Sequence, residues 1–419
     1  MKLEPEQGSR VSRDRTVLAV SFAVFAAYVG TDMVVPVRVL YAQQQGASIA
    51  VIGAMATAFL LSNFIFQYPA GWLADRLGRR PVMVAGLVAQ AAISLAYIFV
   101  PDPIAFVGLR LIEGLASATM LPPARALIAD AIPPEKRGEA YGVFNAFFNA
   151  SLLLGPGIGS GLAAFGYQGV FLAAVVARLL AVVVVVALIQ GASRRKPGER
   201  ERERSVSLRE LFSLPLVGAY VLVFGDYLYL GFDLTIFPLW MQDKLGASIQ
   251  LIGLTYILWG VPTTLLSPVG GRWADRVRRR SSLMLVFGAA QVPIYFVYGI
   301  LETAWPVAAL GLLHGAIYAL MQPAIDTHVA ASSAGDVRAR VQGVYSSIGL
   351  AGAFVGANGL TWLYEVDYRL PLFGLGAAFG VCVLVGGLLV RSSESRRMPA
   401  GLGTGSALPP EGTKDRGIT

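Results

Sequence analysis

Asp32, Arg110 and Glu113 are ionisable side chains set inside long apolar runs of a 419-residue chain. Asp226 and Asp233 share another such run, and Arg178 and His314 lie in two more. A charge at the centre of a bilayer costs roughly 2.5–3.5 kcal/mol on insertion scales, so each of these groups needs a reason. Carboxylates near a guanidinium can trade a proton for another cation. Burial favours a neutral carboxyl group and a neighbouring guanidinium favours the ionised one, so separating them, or admitting a cation between them, changes proton occupancy. Arg110 and Glu113 are three residues apart and stand on neighbouring faces of a helix. Span counting puts Asp32 at a similar depth, so pairing between the first and fourth spans is feasible. We expect Asp32, Arg110 and Glu113 to form a proton-coupling site, with Asp226 and Asp233 as further members. The alternative is a buried ion pair that only holds the two spans together. Arg178 finds no partner in the sequence and reads as structural. His314 reads as a single hydrogen-bonded histidine. One Cys and two His exclude a disulfide framework and a Cys/His zinc site, so no metal or organic cofactor is expected. The coupling ion is expected to be the proton, although carboxylates alone would serve sodium too.

The elements that must position these groups are membrane helices. Hydrophobic residues make up 55% of the chain and charged residues 14%, with a mean hydropathy of +0.61. Water-soluble domains carry roughly a quarter charged residues, so this chain cannot cover itself in water. A crossing needs about 20 apolar residues in a helix, because every backbone group must be paired within the segment. The spacing predicts spans at 16–40, 48–70, 81–100, 104–128, 139–163 and 169–190. A second six follow at 215–241, 248–270, 281–301, 305–328, 340–363 and 369–390. Segment 1–15 precedes the first bundle (16–190), a charged linker (191–214) joins it to the second (215–391), and a Gly/Pro/Ser-rich tail expected to be disordered (392–419) follows. The net charge of +8 falls in short clusters between spans, which argues against nucleic acid. Arginines crowd the loops on one side, and the other side has little beyond Lys244 and Arg369, with Arg38 at a helix end. The positive-inside rule then places both termini in the cytoplasm.

The chain also repeats itself. GASIAVIG at Gly46–Gly53 returns as GASIQLIG at Gly246–Gly253, and GWLADRLGRRPVM from Gly71 is answered by GRWADRVRRRSSLM from Gly271. GTDMVVP from Gly30 aligns with GFDLTIF from Gly231, setting Asp32 opposite Asp233. Six spans per half is an even number, so the repeat is parallel and its pseudo-twofold axis runs along the membrane normal. Two such bundles enclose a cleft that rocking can open to either side in turn.

On these motifs the sequence resembles the major facilitator superfamily, and within it the twelve-span drug/proton antiporters. The stretch Gly71, Asp75, Arg76, Gly78, Arg79 and Arg80 is similar to the family's loop signature between helices 2 and 3, with a degraded copy at Asp275 and Arg276. The resemblance implies a conformational latch there that favours the outward-facing state. Gly71 and Gly78 are expected to allow close approach and a tight turn. Arg110-Leu-Ile-Glu113-Gly114 resembles the helix 4 motif of proton-coupled members, with Glu in place of Gln. Gly155, Pro156 and Gly159 match the helix 5 element of drug antiporters, with Ser160 where a second Gly is usual.

The fold implied is all-α, with twelve transmembrane helices in two pseudo-symmetric six-helix bundles. Asn145, Phe148 and Asn149 on the fifth span are candidates to line the cavity. Tyr227, Tyr256, Trp259 and Tyr318 are candidates from the second half. An aromatic cleft with few acids suits lipophilic cations. The function implied is proton-coupled efflux of an amphipathic or cationic small molecule by a lipid-embedded monomer in the inner membrane of a prokaryote. A metabolite or sugar carrier and a lipid or lysolipid translocator are the alternatives. No HExxH, Gly-x-Ser-x-Gly or phosphate loop suggests an enzyme.

Overall fold

The computed structural model describes residues 14–133, 136–189, 207–277, 279–333 and 338–397, and every regular element among them is helical. The first bundle comprises α1 (Arg15–Asp32), α2 (Val35–Gln44), α3 (Ile49–Leu77), α4 (Arg79–Phe99), α5 (Pro103–Ala118), α6 (Leu121–Ala131), α7 (Arg137–Leu162) and α8 (Tyr167–Leu188). A short α9 (Leu208–Leu211) precedes the second bundle. This comprises α10 (Leu214–Asp233), α11 (Ile236–Leu239), α12 (Ile249–Arg276), α13 (Arg280–Ile300), α14 (Ala304–Ser332), α15 (Arg338–Val366) and α16 (Leu370–Arg397). Eleven helical runs among the described residues are long and apolar enough to cross a membrane, counting α1 with α2 and α5 with α6 as single runs. The twelfth, α15, is equally long at 29 residues but is diluted by Gly, Ser and Asn. The architecture is all-α, in two six-helix bundles.

Three expected spans are broken, and proline sets the position of each break. A proline ring collides with the carbonyl four residues earlier and supplies no N–H. Pro36 acts on Asp32, Pro123 on Thr119 and Pro238 on Leu234, and these are the places where α1, α5 and α10 give way to α2, α6 and α11. The expected tail also starts too early. Helix α16 runs on to Arg397, because Glu394 accepts hydrogen bonds from Ser281 Oγ (2.6 Å) and Ser281 N (3.4 Å) and ties the helix end to α13. Residues 1–13, most of the linker and the rest of the tail lie outside the described residues.

The repeated octet closes the face opposite the termini. Gly46 and Gly246 turn the chain with φ of +89° and +64°, values that suit glycine. Ser48 and Ser248 then cap α3 and α12, each accepting a backbone N–H at 3.3 Å. Gly53 packs against Thr361 of α15, and Gly253 against Ser160 and Pro156 of α7. Each copy thus supplies a turn, a cap and a close approach to the opposite bundle. Thr57 and Asn358 bond across the same α3–α15 seam at 2.7 and 3.0 Å. At the far face itself Gln43 Nε2 donates to Asp243 Oδ2 at 2.6 Å. The extensive pairing between bundles is α7 with α12 and α3 with α15. Both seams make their close contacts in their far halves, and the molecule opens toward the face that bears the termini.

Candidate functional site

Asp32 is the last residue of α1, at the Pro36 break, and its side chain enters the cavity between the bundles. The small residues of α7 make room for it. A Cβ on Gly155 would strike Asp32, and one on Gly159 would strike the Met33 carbonyl. These two residues are four apart and share one helix face, so α7 lies directly on the break. Ser151 Oγ donates to Asp32 Oδ2 at 3.2 Å. Pro156, on the same helix, lines the cavity.

The expected pairing of Asp32 with Arg110 does not occur. Arg110 Nη1 instead donates to Glu113 Oε2 at 3.0 Å, one turn along its own helix. Arg38 Nη2 reaches Glu113 Oε1 at 3.2 Å and Arg178 Nη2 reaches the same oxygen at 3.5 Å. Arg178 also donates to the Gln90 carbonyl (3.2 Å), to Ser94 Oγ and to Thr31 Oγ1 (3.4 Å). Arg110 Nε donates to the Met55 carbonyl at 3.4 Å, and its guanidinium lies over the Phe59 ring at 3.9 Å. Arg38, Arg110, Glu113 and Arg178 are all at most 5% exposed. Arg38, read from sequence as a charge at a helix end, is therefore a core residue, and Arg178 has Glu113 as its partner. Neither pairing is visible along the chain, because the partners lie 75 and 65 residues apart. The signal available was excess. Three deep arginines in one bundle need an acid, and Glu113 is the acid at their depth.

The cavity has a volume of about 380 Å³. Asp32 and Phe148 come from the first bundle, and Asp226 and Asp233 from the second. Tyr227, Tyr256, Trp259 and Tyr318 line it as expected, whereas Asn145 and Asn149 do not. Both asparagines are exposed instead, on the part of α7 that leads to the open face. Arg110 and Glu113 also stay outside the cavity wall. Sequence reasoning missed Tyr295 and Tyr298, which with Tyr229 surround His314, the ring centroids of Tyr229, Tyr295 and Tyr298 being 5.3, 5.3 and 6.0 Å away. The Tyr295 hydroxyl and His314 Nε2 are 3.4 Å apart, and Nδ1 has no hydrogen-bond partner. Trp259 stands against Tyr318 at 5.3 Å. Among the described residues no lysine or arginine lines the cavity. Its walls are aromatic and its formal charges are carboxylates.

Among the described residues the loop motif makes no bond to the opposite bundle. Asp75 and Asp275 are exposed at the ends of α3 and α12. Arg79 pairs with Asp130 and Arg80 donates to the Val186 carbonyl, both within the first bundle. The Arg76 guanidinium lies over Trp72, also within its own helix, at 4.0 Å. Arg276 is exposed. Gly78 turns the chain with φ +99°. Gly71 approaches nothing, since a Cβ there would meet no atom within 4 Å, so the expected close approach is absent with this face open.

A model of the Major Facilitator Superfamily matches residues 20–237 and 219–409. The quinolone resistance protein NorA of Staphylococcus aureus (strain MRSA252) is 23% identical over 382 residues, covering 89% of this chain and 96% of its own. Multidrug resistance protein 2 of Bacillus subtilis (strain 168) is 22% identical over 380 residues, covering 87% and 93%. Among solved structures, a bacterial homolog of the human lysosomal transporter Spinster, inward-facing and unoccupied, superimposes with a TM-score of 0.66 at 15% identity, over 93% of this chain and 96% of that one. The human organic anion transporter MFSD10 (TETRAN) gives 0.63 at 18% identity, over 92% and 100%.

Proposed function

We propose that this chain, which belongs to the Major Facilitator Superfamily, exports lipophilic cations from the cytoplasm of a bacterium in exchange for protons. Family membership makes it a multi-pass membrane transporter of small molecules and not an enzyme. One observation carries the finer reading. The cavity between the bundles holds Asp32, Asp226 and Asp233 among aromatic walls, while Arg38, Arg110 and Arg178 are paired with Glu113 outside its lining. The drug-resistance names of the two bacterial relatives point the same way.

The bonding of these acids supports a division of roles among them. Glu113 already shares both oxygens among three guanidiniums, so it serves as a fixed anion. Asp32 accepts from one hydroxyl and faces the cavity, which leaves it open to a proton or a cation in turn. Asp226 and Asp233 line the same cavity. On the positive-inside rule the arginine-rich open face is the cytoplasmic one, so the compound enters from within, and rocking of the bundles presents it outside. Asp75 and its loop engage when the inner face shuts. The transporter works as a monomer in the inner membrane, with the proton as coupling ion.

The test is proton movement driven by substrate in proteoliposomes with an internal pH dye. Lipophilic cations should release protons in the wild type, and Asp32→Asn should reduce that flux at least tenfold. Silence toward every cation, with a response to sugars or lysolipids, replaces the reading with a carrier of those compounds.

A further inference from the structure

Helix α6 and the C-terminal part of α14 hold matching places in the two bundles. Arg125 stands seven residues before the C-cap of α6 (Ile132), and Asp326 seven residues before the C-cap of α14 (Ser333). At 1.5 Å per residue, both lie about 10 Å in from the face that bears the termini. Both are exposed on the open side. Arg125 lies within electrostatic reach of Tyr28 in its own bundle and of Tyr227 in the other, so it points into the opening. It makes no ion pair among the described residues. Asp326 accepts at Oδ1 from Gln322 Nε2 and from the Tyr345 hydroxyl, both at 3.3 Å, and lies within electrostatic reach of Asp226 in the cavity.

Two symmetry mates of opposite charge therefore look across one opening at one depth. Rocking the bundles about a pseudo-twofold axis along the membrane normal brings residues of equal depth toward each other as that face shuts. We propose that Arg125 and Asp326 form an ion pair when the inner face closes, so that Arg125 serves as a built-in cation that takes the carboxylate over from the transported one. The second clause rests on the export reading above; the ion pair does not. In the open state Asp226 and Asp326 stand within electrostatic reach of each other, and the two carboxylates attract a cation. On closure Arg125 claims Asp326, and the travelling cation loses that partner as its outward path opens. An uncharged compound would not be expelled in this way, which makes Arg125 a determinant of charge selectivity.

The test is a double-mutant cycle read by conformation. Spin labels go on Leu77→Cys and Leu265→Cys, exposed positions in α3 and α12, in a Cys382→Ala background. Distances are measured in liposomes by pulsed electron resonance. Arg125→Gln and Asp326→Asn should each deplete the closed population about tenfold, and the double variant should deplete it no further than the stronger single. The exchanged pair, Arg125→Asp with Asp326→Arg, should return it to within threefold of the wild type. Additive losses, unchanged distances in the singles, or a wild type that never closes would overturn the proposal. Should a single variant fold poorly, the exchanged pair decides alone, its failure to close counting against the proposal. Cation-driven proton flux is recorded on the same liposomes. A non-additive cycle without such flux leaves the ion pair standing and removes the export reading.

Discussion

Where the first bundle sets Glu113, the second sets His314, each the eleventh residue after its helix's N-cap. Helices α4 and α13 are both 21 residues long, and within them Ser94 is matched by Tyr295 and Tyr97 by Tyr298. Arg38, fourth in α2, corresponds to Leu239, fourth in α11. One scaffold thus buries a knot of three guanidiniums on a carboxylate in one copy and a nest of phenols around an imidazole in the other. The knot is closed. Each of its members bonds directly to another, and the cavity does not touch Arg110 or Glu113. The nest is open, since His314 and its tyrosines form cavity wall and His314 Nδ1 lacks a partner. Buried charge demands fixed partners, whereas aromatic faces tolerate a changing neighbour. The first bundle therefore supplies the rigid side of the cleft and the second the adaptable one.

The largest effect that could break this contrast is Glu113→Gln. It strands three buried guanidiniums and should cost about 3–5 kcal/mol of stability, seen as a lower midpoint of thermal unfolding in detergent. His314→Gln, which gives up one neutral contact, should cost no more than about 1.5 kcal/mol. Equal losses would erase the distinction. Two aromatic residues sharpen it further. Phe59 lies under an internal cation and Trp259 faces the cavity. Trp259→Leu should weaken binding of a lipophilic cation by about 0.5–2 kcal/mol, measured by fluorescence titration, with unfolding little changed. Phe59→Leu should do the reverse. The smallest effect tests the symmetry itself. Ser48→Ala and Ser248→Ala each remove one helix cap and should cost about 1 kcal/mol apiece, equal within error in unfolding experiments. A marked inequality would show that the two turns carry different loads.

How far the sequence could be read follows the range of each interaction. The long helices, the parallel repeat and the i,i+3 proximity of Arg110 and Glu113 depend on neighbours in the chain, and all are present in the structure. The octet could be seen to repeat, but its use was not visible. Gly53 and Gly253 matter because of Thr361 and Ser160, which belong to the other bundle. The breaks at Asp32 and Leu234 were signalled by Pro36 and Pro238, yet each half-helix continues the apolar run, so hydropathy alone joined them. Asp32 was matched with Arg110 by depth. Depth leaves the rotation of a helix about its own axis undetermined, and rotation hands Arg110 to Glu113 and Asp32 to Ser151. Arg38 had the opposite fault, a charge near a loop whose side chain turns inward.

The knot also bears on how the molecule is made. Its four charged members lie within the first 178 residues, and Arg178, in the sixth span, is the last to leave the ribosome. An unpaired arginine in a span burdens membrane insertion by roughly 2.5–3.5 kcal/mol. Glu113 is by then already in the bilayer to receive it. The first bundle can close around its charges before any helix of the second exists, and the nascent second half then assembles against a finished surface.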